Sequence, residues 1–219
     1  MESIRTAFAA ATHGFRFANS FSLTDTVIPR SLRRKPPFLA LNDVVIGLCG
    51  GMCFAALDYF YQPSPTPGFS SVDQLSTQLV DYLWRRQWDS LRGGALAKVL
   101  TWTLRQENSL ARSIAGWEVP KLRASLRDGD PCVLALIRVG GIAEVMGNHQ
   151  VLATGYDYVP ETQHLALRLY DPNFPGEEPT VTMNLSQPGE GIHLAESTGE
   201  TLRGFFVIDY SRATPPLGA

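Results

Sequence analysis

Four residues of this chain have reactive chemistry to offer: Cys49, Cys53, His149 and Asp171. The two cysteines stand in the stretch Gly47-Leu-Cys-Gly-Gly-Met-Cys-Phe-Ala-Ala-Leu-Asp-Tyr-Phe60. Cys53, Ala56, Leu57, Phe60 and Tyr61 recur at helical spacing, so a Gly-rich loop is expected to break into a helix with Cys53 in its first turn. A thiol becomes a strong nucleophile only as the thiolate, which the unpaired N–H groups and positive end of a helix stabilise. Glycines on the approach side let a carbonyl come close to the backbone, because no Cβ intervenes. The plainer alternative for a lone cysteine at a helix start is a buried, inert thiol.

His149 lies in Gly147-Asn-His-Gln-Val-Leu-Ala-Thr-Gly-Tyr-Asp157, at the opening of a strand just after a glycine turn. His13 precedes a glycine, His164 falls on a strand edge and His193 in a Gly-rich segment, none in so regular a setting. Asp171 ends the strand-like run Leu167-Arg-Leu-Tyr-Asp and is followed by Pro172. There its carboxylate can hold an imidazole in one tautomer, although Asp-Pro-Asn is also ordinary turn chemistry. A cysteine at a helix start, a histidine opening a strand and a carboxylate ending the next strand form the parts list of a thiol hydrolase.

The order Cys…His…Asp, with helices between the first two, is also that of papain-like enzymes. Cys49-Gly-Gly-Met-Cys-Phe-Ala-Ala resembles the papain-type nucleophile motif Cys-Gly-Ser-Cys-Trp-Ala-Phe. Asn148-His-Gln-Val-Leu-Ala-Thr-Gly-Tyr resembles the histidine motif Asn-His-Ala-Val-x-x-x-Gly-Tyr. Tyr170-Asp-Pro-Asn is similar to the bacterial papain-like families, such as bacteriocin-processing peptidases, in which an Asp before Pro replaces the usual Asn. The resemblance spans roughly residues 45–175 and implies a papain-like fold, a helical lobe carrying Cys53 and a sheet lobe carrying His149 and Asp171. The first motif has one extra residue between its cysteines, so either can be aligned with the nucleophile. Cys53 is preferred because it begins the apolar run and is followed by Phe-Ala-Ala.

Papain-like enzymes also carry a Gln six residues before the nucleophile, where this chain has Gly47. Asn19 and Asn42 are the alternative donors to an oxyanion. The function implied is a cysteine hydrolase acting on an amide, peptide or related acyl bond, with a protein or peptide substrate. Release of the acyl group by an amine instead of water gives a transglutaminase- or deamidase-like effector or toxin domain. A catalytically idle binding module on the same scaffold is a further alternative. A zinc site using Cys49, Cys53 and His149 has permitted spacing but no second compact ligand pair, so no metal is expected. No glycine pattern suits a nucleotide, and no cofactor is expected.

The elements that must position these groups follow from the pattern of the chain. From about residue 70 to 126 the apolar spacing is helical throughout, opening with a cap at Ser71. At Asp130 the period changes from about 3.6 to 2, and strands are expected over 131–139, 149–158, 164–170, 179–185 and 203–210. Helices first and an antiparallel sheet second is the α+β arrangement. A single domain is expected over 1–219, with a helical lobe at about 45–128 and a β lobe at about 130–210, the cleft lying between them. Ahead of them, residues 4–12 read as a short helix, 13–21 as a strand or extended loop, and the cluster Arg30, Arg33, Arg34 and Lys35 as a solvated loop. The four tryptophans read as core or cleft-wall residues.

Composition sets the outer bounds. At 219 residues the chain is long enough for a substantial core. A net charge of −2 gives no reason to expect a nucleic-acid partner. Three cysteines do not make a closed disulfide framework. No apolar run reaches the length of a membrane span, and no signal peptide is evident, so a cytoplasmic location is the default expectation. Export by a dedicated secretion route is compatible with the same features.

Overall fold

A computed structural model of the protein describes residues 1–22, 45–62, 64–138 and 147–217. Asn42, the basic cluster at 30–35 and the loop after residue 138 lie wholly or mainly outside these residues. The architecture is mixed helix and antiparallel sheet, with the helices ahead of most of the strands. The helices are α1 (Ala10–His13), α2 (Cys49–Tyr61), α3 (Thr77–Ser90), α4 (Ala95–Leu104), α5 (Glu107–Ser113) and α6 (Val119–Arg127). A π-helical turn, Ile114–Glu118, joins the last two.

The main sheet is eight-stranded. It is built from β1 (Glu2–Arg5), β4 (Cys132–Ile137), β5 (His149–Val159), β6 (His164–Tyr170), β7 (Thr180–Asn184), β8 (Leu194–Glu196), β9 (Thr201–Leu202) and β10 (Gly204–Ile208). A separate small ribbon pairs β2 (Phe21–Ser22) with β3 (Val45–Ile46). The strand order of the main sheet is β10-β4-β5-β6-β7-β8-β9, and β1 pairs with the far half of β5. Only Arg203 separates β9 from β10, and its N–H donates to the Ile137 carbonyl at 2.7 Å. The two ends of the sheet are therefore one run of chain, which requires the sheet to curl until it meets itself.

Burial follows the sequence pattern. In β4 all six residues are buried, as a continuous apolar run requires when both faces are covered. β6 and β7 alternate, with Leu165, Leu167, Val181 and Met183 buried on one face. α2 is apolar almost all round and is correspondingly buried from Cys49 to Tyr59. It packs between α3 on one side and the start of β5 on the other. A Cβ on Gly51 would collide with the Leu83 carbonyl of α3, so this glycine sets how closely the two helices approach.

Several expectations are corrected. The helix expected over 4–12 is confined to Ala10–His13, and its first residues belong to the strand Glu2–Arg5, because β1 finds a partner in β5 from Gly155 to Tyr158. Tertiary pairing overrides a weak helical pattern. Ser71 caps only the 3-10 turn Val72–Gln74, whereas Ser76 caps α3 by accepting the Leu79 N–H at 3.1 Å. Of the tryptophans Trp102 is core, but Trp88 and Trp117 are exposed. Among the described residues no helix is long and apolar enough to cross a membrane.

Candidate active site

Cys49 is the first residue of α2. The residue before the helix is Leu48, which has no side chain able to cap it, so the end is satisfied from elsewhere. Asn19 Oδ1 accepts the Leu48 N–H at 2.6 Å, and Gln87 Oε1 of α3 accepts the Gly51 N–H at 2.9 Å. A Cβ on Gly50 would run into Ser90 Oγ and Gln150 Oε1, so a glycine is required there too. The Gly50-Gly51 pair is thus explained by close packing of the helix start against α3 and β5, and neither needs a positive φ.

His149 opens β5 and Asp171 follows the end of β6. The two strands are neighbours in antiparallel register, with Leu152 opposite Tyr170, which brings the start of one to the end of the other. His149 Nε2 meets Asp171 Oδ1 at 2.7 Å, and both residues are buried. The same Oδ1 accepts the Asn173 N–H at 2.7 Å, which fixes the carboxylate in the turn. Nδ1 is the ring nitrogen left for a second partner, and Cys49 is the thiol that interacts electrostatically with His149.

The electrostatics of the pair follow. Burial alone would push the Cys49 thiol up; the hydrogen bond and charge of His149, with the backbone N–H groups of Gln150 and Gly50, bring it below its ordinary value. Burial would likewise disfavour a charged His149. Its hydrogen bonds and opposite charges at Asp171 and Cys49 prevail and push its pKa up to about 9. Each partner favours the charged form of the other, the condition for a thiolate–imidazolium pair at neutral pH.

Cys53, the nucleophile expected from the motif, sits one turn further along α2 with no exposed surface. Its thiol donates to the Gln150 carbonyl at 3.6 Å. Burial, and then the charges of Cys49 and Asp171, push its pKa well above the usual thiol value. Of the two cysteines it is thus Cys49, not the Cys53 expected from the motif, on which His149 acts, while Cys53 lies one turn deeper in the core. Cys132 is also buried, and burial raises its pKa. Among the described residues no group of three or more His, Cys, Asp or Glu is placed to hold a metal ion.

Asn19 does stand at the site. Its Nδ2 donates to Asn173 Oδ1 at 3.1 Å, its backbone N–H donates to the Pro172 carbonyl at 2.9 Å, and its amide packs against Gly47. It ties the start of α2 to the turn that holds Asp171. Gln87, Ser90 and Gln150 were not singled out from the sequence, since polar residues inside amphipathic patterns give no signal of their own. A groove of about 800 Å³, lined among others by His164, Thr182, Glu190 and His193, contains none of the site residues. Comparison of the chain with protein-family models, curated proteins and solved structures finds no match to any of them.

Proposed function

We propose that the protein is a papain-like cysteine hydrolase that cleaves an amide, peptide or related acyl bond with Cys49, His149 and Asp171. The observation that supports this most is the imidazole of His149 held by Asp171 at 2.7 Å and coupled electrostatically to the thiol at the first residue of a buried helix. In this reading the Cys49 thiolate attacks the substrate carbonyl carbon. The backbone N–H of Cys49 itself, which is not among those taken up by Asn19 and Gln87, receives the developing oxyanion. The His149 imidazolium gives its proton to the departing amine, leaving an acyl-enzyme. Water, deprotonated by the now neutral His149, releases the acyl group and restores the thiol. An amine in place of water gives transfer rather than hydrolysis. Asp171 holds the ring and stabilises its charged form throughout.

Alkylation by iodoacetamide, mapped to each cysteine by mass spectrometry between pH 5 and 10, tests the assignment. Cys49 should react first, at a pH well below the free-thiol value of about 8.5, with Cys53 and Cys132 unlabelled in the folded protein. Labelling of the three at one rate, or preference for Cys53, would overturn it.

A further inference from the structure

The start of α2 and the turn that holds Asp171 are joined by an unbroken chain of hydrogen bonds, and a pair of asparagines forms its middle. Asn19 Oδ1 accepts the N–H of Leu48, the residue before Cys49, at 2.6 Å. Its Nδ2 donates to Asn173 Oδ1 at 3.1 Å. The Asn173 N–H donates to Asp171 Oδ1 at 2.7 Å, and the same oxygen meets His149 Nε2 at 2.7 Å. Cys49 follows one end of this chain, and His149 is the other.

The orientation of both amides is dictated. A backbone N–H can only donate, so the Asn19 oxygen must face Leu48, and its nitrogen is left for Asn173. Asn173 must then present its oxygen. The segment carrying Asn19 is anchored on both sides by the buried rings of Phe17 and Phe21, and by the Asn19 N–H on the Pro172 carbonyl at 2.9 Å. A Cβ on Gly47 would stand 2.9 Å from Asn19 Nδ2, so the amide is also closed in from that side. Among the described residues Asp171 takes no donor besides His149 and the Asn173 N–H.

We propose that Asn19 and Asn173 are positioning residues of the site: their amide pair ties the start of α2 to the turn after β6 and so sets how closely Cys49 is presented to His149. The inference rests on the hydrolase reading above. Neither asparagine is ionisable, so removing one takes no charge from the site, and a change in the titration of Cys49 or His149 then reports their separation. Each of these two favours the charged form of the other, so drawing them apart moves the thiol up and the ring down. The Leu48 N–H that Asn19→Ala frees acts in the opposite direction, because unpaired N–H groups at a helix start favour the thiolate. The sign of the shift therefore separates the two effects.

The test follows the pH profile of Cys49 alkylation by iodoacetamide, and the His149 titration by NMR, in the full chain, in Asn19→Ala, in Asn173→Ala and in the double variant. Denaturant unfolding is measured alongside. Asn19→Ala should raise the midpoint of the Cys49 profile by about one pH unit and lower that of His149 from about 9. Asn173→Ala keeps its N–H on Asp171 and breaks the amide contact from the sheet side. It should shift both midpoints the same way, and it carries the test should Asn19→Ala fail to fold. The double variant should shift no further than the larger single one, since both remove one contact. Lost stability with both titrations unmoved, a Cys49 midpoint that falls, or shifts that add in the double variant overturn the positioning role while leaving the hydrolase reading in place. Failure of iodoacetamide to select Cys49 in the unmodified chain overturns the hydrolase reading and the positioning role with it.

Discussion

Helix α2 passes through two buried charged clusters, and they are built differently. Near its C-terminal end Asp58 is 1 % exposed and Arg86 of α3 is 2 % exposed. Asp58 Oδ1 accepts the Tyr210 hydroxyl at 2.7 Å and the Ala213 N–H at 2.8 Å. Its Oδ2 accepts the Tyr82 hydroxyl and meets Arg86 Nε, each at 2.7 Å. Arg86 reaches on to Asp89 and to the Ser211 carbonyl, and lies over the ring of Phe54. Both carboxylate oxygens are satisfied, and the cluster fastens residues 210–213 to the helix. Beyond its N-terminal end, among the described residues, Asp171 Oδ2 and both oxygens of the buried Glu196 are without partners. A satisfied cluster is a device of the fold. An equally buried cluster with unpartnered atoms contributes less to the fold and is the costlier of the two to bury.

The largest expected effect breaks the satisfied cluster. Arg86→Ala leaves Asp58 buried without its cation and should cost about 3–5 kcal/mol of unfolding free energy. Denaturant unfolding followed by far-UV circular dichroism measures it. A loss under about 1 kcal/mol would mean that the Asp58 cluster is no more structural than the one at the site.

A smaller effect of opposite sign is expected at the other end. Glu196 has a folded-state pKa raised to about 7 from 4.5, chiefly by burial. An acid raised in this way loses its proton on unfolding at lower pH than in the folded state. Folding stability should therefore fall as pH rises from about 4.5 to about 7. Glu196→Gln removes that slope and should be more stable than the parent above pH 7, by about 1–3 kcal/mol. Equal stability at pH 5 and pH 8 in the parent would show that Glu196 is solvated rather than stranded.

The smallest effect on stability, though a clear one by spectroscopy, concerns His149. Its folded pKa of about 9 lies above the ordinary 6.5, burial being outweighed by Asp171 and Cys49. The stability it contributes is complete below about 6.5 and disappears as pH rises through about 9. Asp171→Asn should bring the His149 titration, read by NMR, down from about 9 towards 6.5, and the upper limit of the ion pair with it. An unchanged titration would remove Asp171 from the site.

Much of this was legible in the chain. The change of period at Asp130 marks the passage from helices to strands, because alternate burial in a curled sheet leaves a period of 2 in the residues themselves. The apolar run Cys132–Ile137 announces a strand covered on both sides. His149 and Asp171 stand out because each terminates a strand, and neighbouring antiparallel strands bring such ends together. Residues 2–5 were not legible, since four alternating residues acquire their meaning only from the β5 edge that receives them. Nor was the burial of Glu196, which depends on the curl that returns β9 to β4.

The choice between the cysteines marks the division most clearly. Helix geometry puts residues four apart on one face, so Cys49 and Cys53 both had to face β5, and local sequence determined that much. Which of the two meets the imidazole depends on how far α2 has slid along β5. Only the tertiary structure decides that, through Gly50 against Ser90 and Gln150 and Gly51 against the Leu83 carbonyl. Those contacts come from residues more than thirty positions away, which no local pattern encodes. They leave Cys49 beside His149 at the helix start and Cys53 one turn deeper, in the core.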